Sequence, residues 1–294
     1  MNASSRTISR EDGRKIHIIE AGETDGIPVL VHNGTPGSAR LHDAWIEDAR
    51  SRGIRLISYD RPGYGGSTPR AGRTVASAVQ DVDAIAKVLG LNRLLVWGVS
   101  GGGPHALACA ALLPDLVVAA AALASPAPYL ADGLDWFGGM GEDNVAEFGA
   151  AVKGREVIRG FLEKAAPGLL EANPVTLVQA LRSLLCPPDV AVLTEEVANF
   201  LIDSTREGIK ERRDGWVDDD IAFTTPWGFE LSQIRIPVML MHGEQDQMVP
   251  FSHAKWLAGK IHGVDARFLP DDGHLTLSVH RIPEVHSWLL EKVK

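Results

Sequence analysis

Cysteine is scarce in this sequence: the 294 residues include only Cys109 and Cys186. Two cysteines are too few for a disulfide framework, and Cys109 lies in an Ala/Leu-rich stretch where a buried, inert thiol is expected. Basic residues are outnumbered by acidic ones: the sequence has 29 Lys and Arg and 38 Asp and Glu, which gives a net charge of −9. Without a dense block of Lys and Arg, the sequence predicts no nucleic-acid partner.

Long hydrophobic runs are absent as well. The longest, LVVAAAALA at 116–124, is far shorter than the ~20 residues that a membrane helix needs. The polar start, MNASSRTISREDGRK, lacks the apolar segment of a secretory signal, so we expect a cytoplasmic protein with no membrane partner. No HExxH motif or Cys/His spacing typical of a metal site occurs, and no metal or other cofactor is predicted.

Short apolar runs are frequent and predict buried strands. With 45% hydrophobic residues, the chain can bury the core of one large domain. The strand-like runs are continuous rather than alternating, as in parallel strands covered on both faces. They lie at 27–31, 54–58, 94–99, 117–124, 237–243 and 266–270. Between them, Val75 to Leu89 has helical spacing, with Thr74 as a cap and Gly90 as a stop. The sequence predicts an α/β protein with a mostly parallel sheet.

The middle of the chain has a different pattern. Residues 126–232 contain helical segments, such as 144–165 and 174–185, with prolines between them and no strand-like run. We interpret this region as a helical cap inserted into a core formed by residues 1–125 and 233–294. A separate domain is the less favoured alternative, because the strands that follow could not form a sheet alone.

The stretch VWGVSGGGPHALA, residues 96–108, places Ser100 between glycines at the end of a predicted strand. A strand followed by G-x-S-x-G and a small-residue helix is typical of a nucleophile elbow, where the serine adopts a positive φ and its neighbours must be small. Phosphate-binding loops fit less well, because no Gly-Lys-Ser/Thr follows and the G-x-G-x-x-G pattern is not met. Ser100 is therefore the candidate nucleophile.

A serine hydroxyl needs a base and an orienting acid to react at neutral pH. In an elbow of this kind the acid and then the histidine follow the serine along the chain. Asp246, in HGEQDQMVP, and His274, in PDDGHL, each come after a predicted strand and complete that order. Glu244 is the main alternative acid, followed by Asp271 and Asp272. His105 is expected to pack in the core, and His242 to support the site.

Two backbone N–H groups are expected to bind the oxyanion that forms during acyl transfer. The elbow supplies the N–H of Gly101. The loop VHNGTPGS after the strand at 27–31 offers a second donor, for which the N–H of Thr35 is the candidate, although a plain Gly/Pro turn would have the same sequence pattern.

These motifs together resemble the α/β-hydrolase family over nearly the whole chain, and most closely its esterase, lactonase and aminopeptidase-type members with a helical cap. The matching segments are VHNGTPGS, YDRPGYGGS (59–67), WGVSGGG, HGEQD and DDGHL. The resemblance implies a mostly parallel, eight-stranded sheet flanked by helices, and it gives Asp60 no catalytic role. One departure is that Asn33-Gly34 stands where such proteins usually have His-Gly, so Asn33 would have to hold the loop in place of a histidine.

The resemblance also implies a reaction. Dehalogenases and epoxide hydrolases of this fold carry Asp at the elbow, whereas Ser100 predicts a carboxylesterase-like enzyme that cleaves an ester or lactone of a small, mostly apolar substrate. C–C bond hydrolysis, aminopeptidase activity and a non-catalytic ligand receptor remain alternatives, and dioxygenases and hydroxynitrile lyases of this fold reuse the serine. The expected partner is a small-molecule substrate, and the protein is expected to be a monomer or homodimer.

Aromatic residues in the predicted cap are candidates for the substrate pocket. They are Trp136, Phe137, Trp227 and Phe229, and ordinary packing between cap and core is an equally good interpretation of each. The nearby acidic run Asp218–Asp220 is predicted to be a solvated turn or helix cap.

Overall fold

Residues 3–293, which the computed structural model of this protein describes, contain one sheet of eight strands. Its order is β1-β2-β4-β3-β5-β6-β7-β8, with antiparallel pairing at β1–β2 and β2–β4 and parallel pairing elsewhere. The strands are β1 (Ser4–Ser9), β2 (Lys15–Gly22), β3 (Ile27–His32), β4 (Ile54–Tyr59), β5 (Leu94–Val99), β6 (Val117–Leu123), β7 (Val238–Gly243) and β8 (Asp265–Leu269). The predicted α/β class and mostly parallel eight-stranded sheet are confirmed.

All six strands that the apolar runs predict are present, with bounds within one residue. Every residue of β5 and of β7 is buried, as expected for strands covered on both faces. The residue pattern did not predict β1 and β2. Only one of the six residues of β1, Ile8, is buried, because that strand lies at the edge of the sheet, and β2 alternates buried with less buried residues instead of forming a continuous apolar run.

Helices cover both faces of this sheet, and others lie between β6 and β7 in the chain. They are α1 (Asp43–Ser51), α2 (Ala78–Leu89), α3 (Gly103–Leu112), α4 (Glu142–Val152), α5 (Arg155–Leu170), α6 (Pro174–Ala180), α7 (Pro187–Val192), α8 (Glu195–Ile209), α9 (Asp214–Thr224), α10 (Phe251–Lys260), α11 (Leu275–His280) and α12 (Ile282–Glu291). Leu95 and Trp97 of β5 pack in one cluster with α1 and α12. Leu94 and Val96 pack on the opposite face with α2 and α3.

The helix predicted between Val75 and Leu89 begins as a short 3-10 turn and continues as α2. Thr74 precedes the turn and closes a capping box with Ser77, while Gly90 ends α2 in the left-handed conformation, at φ 67°. A residue with a side chain rarely adopts that conformation, which is why glycine is the common helix stop. The sequence signals for both ends of this helix are confirmed.

Helices α4 to α9 all lie between β6 and β7 in the chain order. The continuous helix expected over 144–165 is in fact two, because Gly154, at φ 113°, interrupts it between α4 and α5. The boundaries of the cap and its role as a lid stay predictions. Within the described part of the chain, no helix is both long and apolar enough to span a bilayer.

Candidate active site

Ser100 lies where β5 turns into a helix. Its φ is +55°. Among the described residues, Ala124 is the only other non-glycine residue with a positive φ. A 3-10 turn over Ser100–Gly102 leads directly into α3. Residues with a side chain rarely hold a positive φ, and such strain is concentrated at functional sites.

The glycines around Ser100 make this turn possible. A Cβ atom built on Gly98 would collide with the backbone carbonyl of Gly102, and one built on Gly102 would collide with the carbonyl of His32. Backbone atoms cannot move aside as the end of a flexible side chain can. The strand, the turn and α3 can therefore approach one another only because both positions lack a side chain.

Replacing Gly98 with alanine tests this constraint. We expect Gly98→Ala to lower the free energy of unfolding by about 1–3 kcal/mol, the usual cost of overpacking. Gly149→Ala is the matched control, because a Cβ atom at that position in α4 meets nothing within 4 Å. Inside a helix that change should stabilise the protein by about 0.5–1 kcal/mol. Urea denaturation measures both values, and equal unfolding midpoints for the two variants would contradict the steric argument.

Asp246 and His274 form a buried, hydrogen-bonded pair. Oδ2 of Asp246 lies 2.7 Å from Nδ1 of His274. The other carboxylate oxygen, Oδ1, accepts hydrogen bonds from the backbone N–H groups of Met248 and Val249, both at 2.8 Å. The residues follow β7 and β8, which are adjacent and parallel, so their loops meet at the same edge of the sheet.

The alternative acids are directed elsewhere. Glu244 is exposed to solvent. Asp272 is buried, but its carboxylate pairs with Arg281 at 2.6 Å. Asp271 is exposed. Of these carboxylates and Asp246, only that of Asp246 hydrogen bonds to His274.

The surroundings of His274 favour its protonated form. Burial alone would lower its pKa, but the charge and hydrogen bond of Asp246, with a further contribution from the charge of Asp189, raise the pKa above the ordinary value of 6.5. The neighbouring His242 has a pKa lowered by burial. Its Nε2 donates to the carbonyl of Val249 at 2.8 Å, so His242 helps to hold the loop that carries Asp246.

The loop after β3 borders Ser100. A Cβ atom on Gly34 would lie 3.4 Å from the Cβ of Ser100, and one on Gly101 would collide with the side chain of Thr35. Thr35 and Gly101 are therefore neighbours beside Ser100. The N–H of Thr35 donates no hydrogen bond to another described residue, and the first N–H groups of a helical turn, such as that of Gly101, have no partner within it.

Asn33 holds this loop through its side-chain amide. Its Nδ2 donates to the carbonyl oxygens of Ser38 and Arg40, at 2.7 Å and 3.1 Å. It also lies 3.2 Å from the hydroxyl of Ser58 on β4. The loop is thus tied down although Asn33 stands where a histidine is usual.

A buried arginine from the segment after β4 also holds the loop. Arg61 donates to the carbonyl of Asn33, to the carbonyl of Gly34 at 3.1 Å and to the hydroxyl of Thr35 at 3.0 Å. The same guanidinium donates to Oδ2 of Asp219 at 2.7 Å, and the Thr35 hydroxyl donates to that oxygen at 2.7 Å. Asp219 on α9 is therefore connected directly to the loop beside Ser100.

The prediction that Asp218–Asp220 is a solvated turn or helix cap is wrong. All three lie within α9, and their exposed fractions are 1%, 0% and 0%. Arg61 and Arg73, which contacts Asp219 Oδ1 at 2.6 Å, supply the positive charge that makes the burial of Asp219 possible. Burial raises the pKa of Asp219, but the two arginines outweigh it and hold that pKa well below the usual range.

The aromatic residues predicted to bind substrate are packed among other side chains. Trp136 is 4% exposed, and its ring contacts those of Phe137, Phe148 and His253. Trp227 is also 4% exposed and stacks on Phe229 at a centroid distance of 5.8 Å. This is the cap-to-core packing considered above, and contact of these residues with a substrate stays a prediction.

Known proteins share this architecture. The chain matches the family model for the alpha/beta hydrolase fold over residues 27–280. It is 27% identical over 252 residues to the non-heme chloroperoxidase of Streptomyces lividans, covering 84% of each chain. It is also 27% identical over 246 residues to a bifunctional esterase/perhydrolase of Acinetobacter calcoaceticus, covering 83% of each chain.

The fold is shared with solved structures of lower sequence identity. A bromoperoxidase from Bacillus anthracis superimposes with a TM-score of 0.71 at 21% identity, over 98% of this chain and 99% of that one. The family model spans most of this chain. The chain also has the mostly parallel, eight-stranded sheet that its motifs predict for this family. The protein therefore belongs to the α/β-hydrolase family.

Proposed function

We propose that this protein is a serine hydrolase that cleaves a carboxylic ester or lactone of a small, mostly apolar substrate. The observation that carries the proposal is the strained Ser100 at the end of β5 together with the buried Asp246–His274 pair at the ends of β7 and β8. These strands are parallel and belong to one sheet. All three residues thus follow strand ends at one edge, where α/β proteins usually bind their ligands.

In the proposed reaction, Nε2 of His274 takes the hydroxyl proton of Ser100 as the serine oxygen attacks the acyl carbon. The N–H groups of Thr35 and Gly101 bind the oxyanion. His274 then protonates the departing alcohol. It next removes a proton from the water that attacks the acyl-enzyme, and the acid leaves as Ser100 regains its proton. Asp246 keeps the Nδ1 proton of His274 in place and stabilises the imidazolium.

The mechanism requires a hydrogen bond between the hydroxyl of Ser100 and His274. Among the described residues, the hydrogen bonds of His274 do not include one to Ser100. In enzymes without substrate such bonds are often long and tighten only in the complex. The esterase named among the relatives, at 27% identity, supports the choice of an ester. We assign the apolar part of the substrate to the aromatic residues of the predicted cap, which are Trp136, Phe137, Trp227 and Phe229.

A substrate panel tests the proposed function. We expect turnover of p-nitrophenyl esters with short acyl chains, or of lactones, in preference to aminoacyl anilides. His274→Gln should remove this activity, whereas His262→Gln, at an exposed histidine, should retain it. Faster cleavage of the anilides would indicate an aminopeptidase. No turnover of any member of the panel would favour the receptor alternative.

The pH dependence of kcat/KM provides another test. His274 must be neutral to accept the proton of Ser100, so activity is expected to fall as the pH drops through its pKa. Because that pKa is raised, the acid limb should lie above pH 6.5. Steady-state kinetics with an ester whose hydrolysis involves no ionisation of its own would measure it. An acid limb well below this pH would contradict the assignment of His274 as the base.

A further inference from the structure

Asp189 lies on α7, far along the chain from the end of β8, yet its carboxylate contacts the backbone of His274. The side chain is fully buried. Its Oδ2 accepts from the N–H of His274 at 3.0 Å, and its Oδ1 from those of Leu275 and Thr276 at 2.7 Å and 3.2 Å. The thiol of Cys186 donates to Oδ2 at 3.2 Å. One carboxylate thus binds three successive N–H groups, beginning at His274.

We propose that Asp189 is a positioning residue, which fixes the backbone of His274 from the helical insertion. This inference rests on the proposed function, in which His274 is the catalytic base. No role in the reaction is assigned to Asp189 by the sequence motifs, because it lies outside all of them.

The start of α11 explains why an outside carboxylate is needed. The first N–H groups of a helix have no acceptor within the helix, and a side chain at the preceding position often supplies one. Here that preceding residue is His274, whose side chain makes no such bond because its Nδ1 is engaged by Asp246. Asp189 takes over the capping and leaves the imidazole free for the proton transfers of the reaction.

The fit of Asp189 leaves little freedom to this loop. A Cβ atom on Gly273 would lie 2.5 Å from the Asp189 carboxylate and would also collide with the thiol of Cys186. The carboxylate is therefore packed directly against the backbone that leads into His274. A displacement of about 1 Å at a catalytic group can cost about 100-fold in rate, so a loosened loop should reduce kcat.

The charge of Asp189 acts in the same place. Asp189 and Asp246 both raise the pKa of His274, opposing burial, which lowers it. The other titratable groups around this loop include His242, at 3.4 Å from Asp246, Asp272, which is paired with Arg281, and the Cys186 thiol, which donates to Asp189. Asp189→Asn removes one of the two negative charges that stabilise the imidazolium. The pKa of His274 should then fall, and the acid limb of kcat/KM should move to lower pH.

The test uses the full chain carrying Asp189→Asn, with an ester of the panel as substrate. We expect kcat to fall by roughly 10- to 100-fold, KM to change little and the acid limb to shift to lower pH. The control is Glu20→Gln, which removes a buried carboxylate of β2 that pairs with Arg6 of β1 and Arg55 of β4. A merely structural role would reduce the fraction of folded protein in both variants without moving the limb.

A second variant covers the case in which Asp189→Asn does not fold. Asp189→Glu keeps the charge but lengthens the side chain in a packed position, so its acid limb should match the wild type while kcat falls. An unchanged kcat in either variant, or an unmoved limb in Asp189→Asn, would overturn the proposal. NMR titration of the His274 imidazole gives its pKa without any turnover. It therefore still tests Asp189 if the wild type hydrolyses no ester, a result that would refute the proposed function alone.

Discussion

Ser100→Ala is expected to lower kcat by roughly 10⁴–10⁶-fold, as the loss of a nucleophile does in comparable triads. The variant keeps the backbone turn but has no hydroxyl to form the acyl-enzyme. Its KM should change little, since the remaining pocket is intact. Ser232→Ala, at an exposed serine, is the matched control and should retain wild-type rates in the same ester assay.

A drop of only a few-fold in Ser100→Ala would mean that another group attacks the substrate. Comparable unfolding midpoints for the variant and the wild type are needed as a companion measurement, because a strained residue can affect folding as well as catalysis. A variant that is well folded and inactive would place the loss in the chemical step.

Asp219→Asn is expected to be the most destabilising of the substitutions considered. It removes the anion between Arg61 and Arg73, whose exposed fractions are 3% and 4%. Breaking a buried ion pair by removing one partner costs about 3–5 kcal/mol, because the other charge stays buried without compensation. The amide also offers one acceptor oxygen in place of two, so that the hydroxyl of Thr35 competes with the arginines for it, and kcat should fall as the loop after β3 loosens.

Denaturant unfolding measures this loss against Asp203→Asn. Asp203 lies on α8 in the same insertion and pairs with Arg40 at 3.4 Å, and both side chains are partly exposed to solvent. Loss of a surface pair of this kind should change the free energy of unfolding by less than ~1 kcal/mol. Similar unfolding midpoints for the two variants would contradict this expectation, because they would show that Arg61 and Arg73 stay buried without the charge of Asp219 at little cost.

Much of the fold could be predicted from local patterns. Continuous apolar runs located six strands, and all of these but β8 are largely buried on both faces. Gly90 marked the end of α2 because its conformation favours glycine. The elbow was recognisable for a similar reason, since Gly98 is required by its contact with the carbonyl of Gly102, within a few residues of Ser100. Signals of this kind are carried by neighbours in the sequence.

The contacts that hold the site in place were not predictable in this way. Asp219 pairs with an arginine 158 positions away, and Asp189 binds N–H groups 85 to 87 positions away. A run of three aspartates suggests solvent because a buried charge is costly unless it is paired. The pairing partner, Arg61, lies in the segment YDRPGYGGS, far from these aspartates in the sequence. Only the folded chain brings these groups together.

Labelling with a fluorophosphonate probe tests the nucleophile most directly. The probe phosphonylates an activated serine and can be located by mass spectrometry of the digested protein. We predict that the wild type is labelled at Ser100 and loses its esterase activity in proportion, and that Ser100→Ala is not labelled. Labelling at another residue, or a wild-type protein that hydrolyses esters yet resists the probe, would contradict the assignment of Ser100.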